Sequence, residues 1–283
     1  LKISDNNPPY VISFMNMKGG VGKTTLCVNL ADALSKISDK HILLIDFDPQ
    51  ANSTQYILKA EQYNQLLQNG DTIYKIYKNL VEDKQNYSIV DGDLDNEEYE
   101  QWEPQEIIYN VNDKFSIVPG DLNMIKISQS TDSTLAMQLE QFIKNIKSAY
   151  DFIFIDCPPT QSIYIQSALM TSDYYILPVK PDYLSSLGME LFQHMVLKNN
   201  RTSINKVKCL GIVFTMVQKS DYYAETMKNI REKKKFTIFT NIMKHSSNVA
   251  KNSELHKLFL DTKGKKTEIK RLAKEFLDRI NKM

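Results

Sequence analysis

Residues 16–25 read NMKGGVGKTT, and no other stretch restricts the possible folds as tightly. It follows an apolar run, YVISFM (10–15), and precedes a helical pattern over 24–37, so it reads as a strand–loop–helix turn. Gly19, Gly20 and Gly22 let the backbone turn sharply and aim N–H groups at an anion. The N-terminus of the helix that follows adds partial positive charge. The pattern G-x-x-x-x-G-K-[ST] is met except at its first glycine, where Met17 stands with Lys18 directly after it. Lys23 is placed for β- and γ-phosphates and the Thr24 hydroxyl for Mg²⁺.

Short apolar runs alternate with helical patterns along the rest of the chain, which predicts an α/β fold with a largely parallel sheet. The strands are expected at 10–15, 41–46, 115–119, 151–156, 174–179 and 207–215. Several are apolar almost throughout, as strands covered on both faces are. Helices are expected at 24–37, 133–149, 161–171, 184–198, 220–234 and 267–282. Two strands end in carboxylates: HILLIDFDPQANST (41–54) brings Asp46 and Asp48, and DFIFIDCPPT (151–160) brings Asp156. Strand C-terminal edges are where open α/β sheets gather ligands, so Asp156 is a candidate to hold Mg²⁺ and Asp48 to orient an attacking water.

Together these motifs resemble the ParA/MinD family of ATPases. KGGVGKTT is similar to that family's deviant Walker A motif, DFDPQANST to the switch I segment of ParA proteins, and IDCPPT to their Walker B and switch II segment. The likeness continues through 167–192 and 211–217, and ParA fits better than MinD. It implies a P-loop NTPase fold, a three-layer αβα arrangement around a twisted, largely parallel sheet, spanning 1–283 as one domain. It implies ATP and Mg²⁺ as cofactors and a homodimer when ATP is bound, with Lys18 reaching the nucleotide of the opposite subunit. The implied catalytic residues are Lys18, Lys23 and Asp48, and the implied metal-binding residues are Thr24 and Asp156. The nucleotide would be bound by Lys18, Gly19, Gly20, Val21, Gly22, Lys23, Thr24, Thr25, Asp182 and Met216.

The chain also departs from the family pattern. Residues 82–106 carry ten Asp/Glu against one Lys and read as an acidic insertion, a solvated spacer. Residues 240–261 match the family poorly. No room is left before residue 10 for the DNA-binding domain of larger ParA proteins, which speaks against operator-specific repression.

Residues 206–283 hold nineteen Lys/Arg against eight Asp/Glu, which points to an anionic partner. The resemblance makes that partner non-specific DNA, met through KNIREKKKF (228–236) and KGKKTEIKR (263–271), and adds a ParB-like centromere-binding protein. The helix 267–282 places Ile269, Leu272, Ala273, Phe276, Leu277 and Ile280 on one face. Such a helix either packs on the sheet or, as in a MinD-like spatial regulator, lies on a membrane. Packing on the sheet is the expectation, and no membrane partner is expected. Three widely spaced cysteines suggest neither disulfides nor a metal site, and Cys157 reads as a small buried residue. No apolar run is long enough to span a membrane, so a cytoplasmic protein is expected, and the resemblance implies that it associates with the nucleoid. An adaptor that contacts another protein through the acidic insertion is a further possibility.

Overall fold

A computed structural model describes residues 9–82, 102–129, 134–160, 162–233, 236–247, 249 and 253–283. Its centre is a seven-stranded sheet in the order β3-β4-β2-β5-β1-β6-β7. The strands are β1 (Tyr10–Phe14), β2 (Ile42–Asp46), β3 (Tyr109–Asn112), β4 (Phe115–Val118), β5 (Phe152–Asp156), β6 (Tyr174–Val179) and β7 (Lys208–Phe214). Every pairing is parallel except β3 with β4, which is antiparallel and bulged. All six expected strands are present; β3 is an addition. Its YNVN sequence alternates half-buried and exposed residues, as an edge strand does.

The helices are α1 (Lys23–Ile37), α2 (Asn52–Ile57), α3 (Ala60–Asn69), α4 (Lys75–Glu82), α5 (Ile125–Ser128), α6 (Leu135–Ile146), α7 (Ile163–Thr171), α8 (Tyr183–Thr202), α9 (Asp221–Glu232) and α10 (Lys266–Ile280). Alternating strand side chains feed two apolar cores. Val11, Leu43, Ile45, Ile153 and Ile155 pack with residues of α4, α6, α7 and α8 on one face. Ile12, Phe14, Leu44, Phe152 and Phe154 pack with α1 and α10 on the other. The result is the expected α/β fold with helices on both faces of the sheet.

The apolar face of α10 is fully committed to this second core. Ile269, Leu272, Ala273, Phe276, Leu277 and Ile280 are all buried, and the Phe276 ring meets Phe152 and Phe154 edge-on at 5.2 and 5.6 Å. Of the two expectations for this helix, packing on the sheet is the one the fold adopts. Among the described residues no helix is long and apolar enough to cross a membrane.

Most of the acidic segment, 83–101, lies outside the described residues. Its last residues are not a solvated spacer. Trp102 stacks on Phe142 of α6, and Glu106, in a 3₁₀ turn at Pro104–Ile107, pairs with Lys75 of α4 at 2.6 Å.

Candidate nucleotide site

The loop between β1 and α1 sits at the C-terminal edge of the sheet, between the ends of β5 and β6. Asn16 braces its entry, donating from Nδ2 to the Pro178 carbonyl at 2.7 Å and accepting from the Lys18 N–H at 2.8 Å. Gly20 and Gly22 have φ of 69° and 83°, the left-handed region that favours glycine, and Gly22 is the residue from which α1 starts. Thr215, just beyond β7, donates its hydroxyl to the Val21 carbonyl at 2.5 Å, fixing the far side of the loop.

Lys23 is only 7% exposed, and its Nζ bends back toward the Lys18 carbonyl at 3.3 Å. Burial pulls this ammonium below its ordinary pKa, opposed by the attraction of Asp156 and Asp48. A buried cation beside a ring of loop N–H groups is suited to a polyanion that replaces the lost water.

The ends of β2 and β5 bring Asp46 and Asp156 side by side in register. Burial raises both, Asp46 to about 8 and Asp156 to about 6. Asp46 is further raised by Asp156, whereas the Thr24 and Ser53 hydroxyls and the Lys23 charge hold Asp156 down. Asp46 Oδ2 accepts from the Thr54 N–H and hydroxyl, both at 2.7 Å, and so anchors α2. Ser53 donates to Asp156 Oδ2 at 2.8 Å, tying the same helix to β5. Asp156 Oδ1 is buried without a hydrogen-bond partner, and the Thr24 hydroxyl approaches the same carboxyl group. That unpartnered oxygen and a hydroxyl are a donor set that fits Mg²⁺, which takes one or two protein ligands and completes its shell with water and phosphate. Among the described residues no group of three or more His, Cys, Asp or Glu could hold a metal without such help.

Asp48 follows at 7% exposure, its Oδ1 accepting from the Gln50 N–H at 3.0 Å, and it faces the same cavity as Lys23. The cavity measures about 910 Å³ and is lined by Gly19, Gly20, Gly22, Lys23, Thr24 and Thr25 together with Met216, Met243, Lys244 and His245. The structure therefore gathers most of the expected nucleotide residues around one space. Val21 is buried in the loop instead, contributing its carbonyl to Thr215. Asp182 is found on Lys18, whose Nζ it accepts at 2.6 Å, and neither lines the cavity. Cys157 is buried, and its thiol is raised well above its ordinary pKa, by burial first and Asp156 next.

Sequence reasoning missed Gln50, Asn52, Gln55 and Tyr56, which line the cavity from α2 and the turn before it, and Met243 to Ser247. The first group lies inside the DFDPQANST motif and was within reach. The second lies in the stretch that departs from the family pattern and carries no periodic signal.

The family model described as an AAA domain, AAA_31, matches residues 10–209. An uncharacterized protein of Methanocaldococcus jannaschii is 32% identical over 212 residues, 74% of each chain. The sporulation initiation inhibitor protein Soj of Bacillus subtilis is 26% identical over 209 residues, covering 73% of this chain and 72% of that one. The chain belongs to the ParA family of ATPases. Its fold is shared with a Borrelia burgdorferi B31 protein assigned to plasmid partition and bound to AMPPNP, with TM-score 0.74, 23% identity and 97% and 99% of the two chains covered. It is shared equally with the cobyrinic acid a,c-diamide synthase of Mycobacterium smegmatis with a bound ATP analog and magnesium, at TM-score 0.73, 16% identity and 96% coverage of both. A biosynthetic enzyme and a partition protein thus share one ParA-like fold, and fold alone does not separate their roles.

Proposed function

We propose that this ParA-family ATPase is a DNA partition motor that binds and hydrolyses Mg·ATP, dimerises face to face when ATP is bound, and coats DNA without sequence preference. A ParB-like centromere-binding partner stimulates hydrolysis and releases it. The loop N–H groups and Lys23 receive the β- and γ-phosphates, and Thr24 and Asp156 hold the metal. When bound, Mg²⁺ neutralises charge shared between β- and γ-oxygens. Asp48 orients the attacking water; its place at the cavity wall and its brace from Gln50 support that role.

The observation that carries the reading is the division of labour between two lysines of one loop. Lys23 is buried at the phosphate end, whereas the Lys18 side chain is 39% exposed and sits outside the cavity, leaning on Asp182. A second lysine so placed serves a nucleotide approaching from outside, which is what a sandwich dimer presents. Its charge favours the transition state, where negative charge spreads over the γ-phosphoryl oxygens. A contact made only with ATP also links occupancy to dimerisation by mass action.

The basic C-terminal third supports the DNA contact in a selective way. Lys265 is buried and bonded within the fold, so it is removed from the candidate set, while Lys228 and Lys233 are exposed and make long ion pairs to Glu232 and Glu190 at 3.8 and 3.9 Å. Co-sedimentation with DNA of unrelated sequences, with ATP, ADP or no nucleotide at two salt concentrations, tests the proposal. ATP-dependent, salt-sensitive, sequence-independent binding is expected. Binding that ignores the nucleotide would refute it.

A further inference from the structure

The C-terminal helix and the residue before it turn three charged side chains inward, onto one segment of backbone. Glu275 accepts from the Thr240 N–H at 2.7 Å, the Asn241 N–H at 2.8 Å and Asn241 Nδ2 at 2.7 Å. Burial would raise this carboxyl, but the bonds from Asn241 and Thr240 outweigh it and hold the group below its ordinary value. Arg279 donates to the Ile238 carbonyl at 2.6 Å, the Leu210 carbonyl at 3.2 Å and Glu275 at 3.0 Å, with its guanidinium 4.1 Å from the Phe239 ring centre. Lys265, one residue before the helix, is 6% exposed and donates to the Lys244 carbonyl and, at 2.9 Å, to Glu268.

The segment held in this way runs alongside β7. The Phe239 N–H donates to Ile212 and the Met243 N–H to Phe214, each at 2.8 Å, and the His245 N–H donates to Val217 at 2.9 Å. Close approach is possible because residue 211 is glycine at φ 152°, where a Cβ would stand 2.9 Å from the Phe239 ring and 3.1 Å from Arg279. Met243, Lys244 and His245 emerge from the clamp directly into the lining of the cavity, with Met243 beside the phosphate loop. Met243 Cε reaches 3.4 Å from where a Cβ on Gly22 would lie, so this wall is in register with the loop itself.

With the triphosphate held at the loop, the remaining cavity takes the nucleoside. We propose that Glu275, supported by Arg279 and Lys265, is a positioning residue that fixes the Met243–His245 wall and thereby sets nucleotide affinity and the choice of base. The inference rests on the ATP reading above. Its class of ligand is the purine nucleoside end of a triphosphate. Glu275 acts through backbone, never touching the reacting atoms, so its loss removes binding that ground state and transition state share equally.

Titration of the full chain with fluorescent ATP and GTP analogues, alongside ATP hydrolysis kinetics, tests this. Glu275→Ala should raise Kd and KM for ATP about tenfold, leave kcat within about twofold, and narrow the preference for ATP over GTP. Glu275→Gln keeps the shape and one good acceptor and should lose about threefold in affinity with kcat unmoved, which decides the question should the alanine variant not fold. Leu277→Ala, which loosens the same helix but keeps the Glu275, Arg279 and Lys265 bonds to residues 238–244, should lower Tm and leave Kd within about twofold. Wild-type Kd in both Glu275 variants would overturn the clamp, as would a Leu277→Ala that weakens ATP as much as Glu275→Ala does. Failure of the wild-type chain to bind ATP at all would overturn the ATP reading and this inference with it.

Discussion

Asp46 offers a test of the switch architecture that needs no ligand. It is completely buried, with Oδ2 satisfied by Thr54 and Oδ1 without a partner, next to a second buried carboxylate on β5. Burial, and then Asp156, raise it from an ordinary value of 3.8 to about 8. Because the folded value is the higher one, the folded protein binds a proton that the unfolded chain has released between those two pH values. Stability contributed by this group is therefore intact below about pH 4 and falls as pH rises, by about 1.4 kcal/mol for each pH unit crossed, before levelling above pH 8. The whole range amounts to about 6 kcal/mol as an order of magnitude, a large fraction of a domain's stability. Asp46→Asn keeps the acceptor for Thr54 and cannot ionise. Its buried amide costs about 1–3 kcal/mol where it finds no acceptor, but that cost is the same at every pH. Urea denaturation of both proteins from pH 5 to 9, without nucleotide or metal, should show wild-type stability falling relative to Asp46→Asn as pH rises. Two curves that stay parallel across that range would refute the assignment of a neutral Asp46 to the folded state.

Asp48→Ala should bind ATP with near wild-type affinity yet hydrolyse it at least about 100-fold more slowly in single-turnover assays, since a water-orienting group acts in the transition state. Asp182→Ala frees Lys18 from a partly exposed ion pair worth about 0.5 kcal/mol in each subunit, so sedimentation should show the ATP-bound dimer tightened about fivefold; weakened ATP binding would instead place Asp182 on the nucleotide. Phe276→Ala removes a fully buried ring that joins α10 to β5 and should cost about 3–5 kcal/mol by chemical denaturation.

What could be read from the sequence was local. The phosphate loop, the two strands ending in carboxylates and the apolar strand runs each declare themselves within about fifteen residues, because glycine placement and periodicity act over that distance. The face of α10 was legible for the same reason. Helices α2 to α4 were not, and α3 shows why: none of its residues is fully buried, and the short stripe of Tyr63 and Leu66 that rests on the core is too brief to announce a helix. Strand β3 escaped because an antiparallel edge strand of alternating exposure leaves too weak a pattern in four residues. The ion pair of Lys18 with Asp182 joins positions 164 residues apart. The Glu275 bonds to Thr240 and Asn241 span 35 and 34 residues, onto a segment paired to β7 only through isolated bridges. Such contacts follow from topology, and no window of sequence contains them.

The central claim is that Lys18 serves a nucleotide in the opposite subunit. Light scattering of Asp48→Ala, which should hold ATP without hydrolysing it, should give twice the monomer mass with ATP and the monomer mass with ADP. Adding Lys18→Ala should return the ATP-bound protein to monomer while a fluorescent ATP analogue still binds. A dimer that forms undiminished without Lys18 would contradict the account.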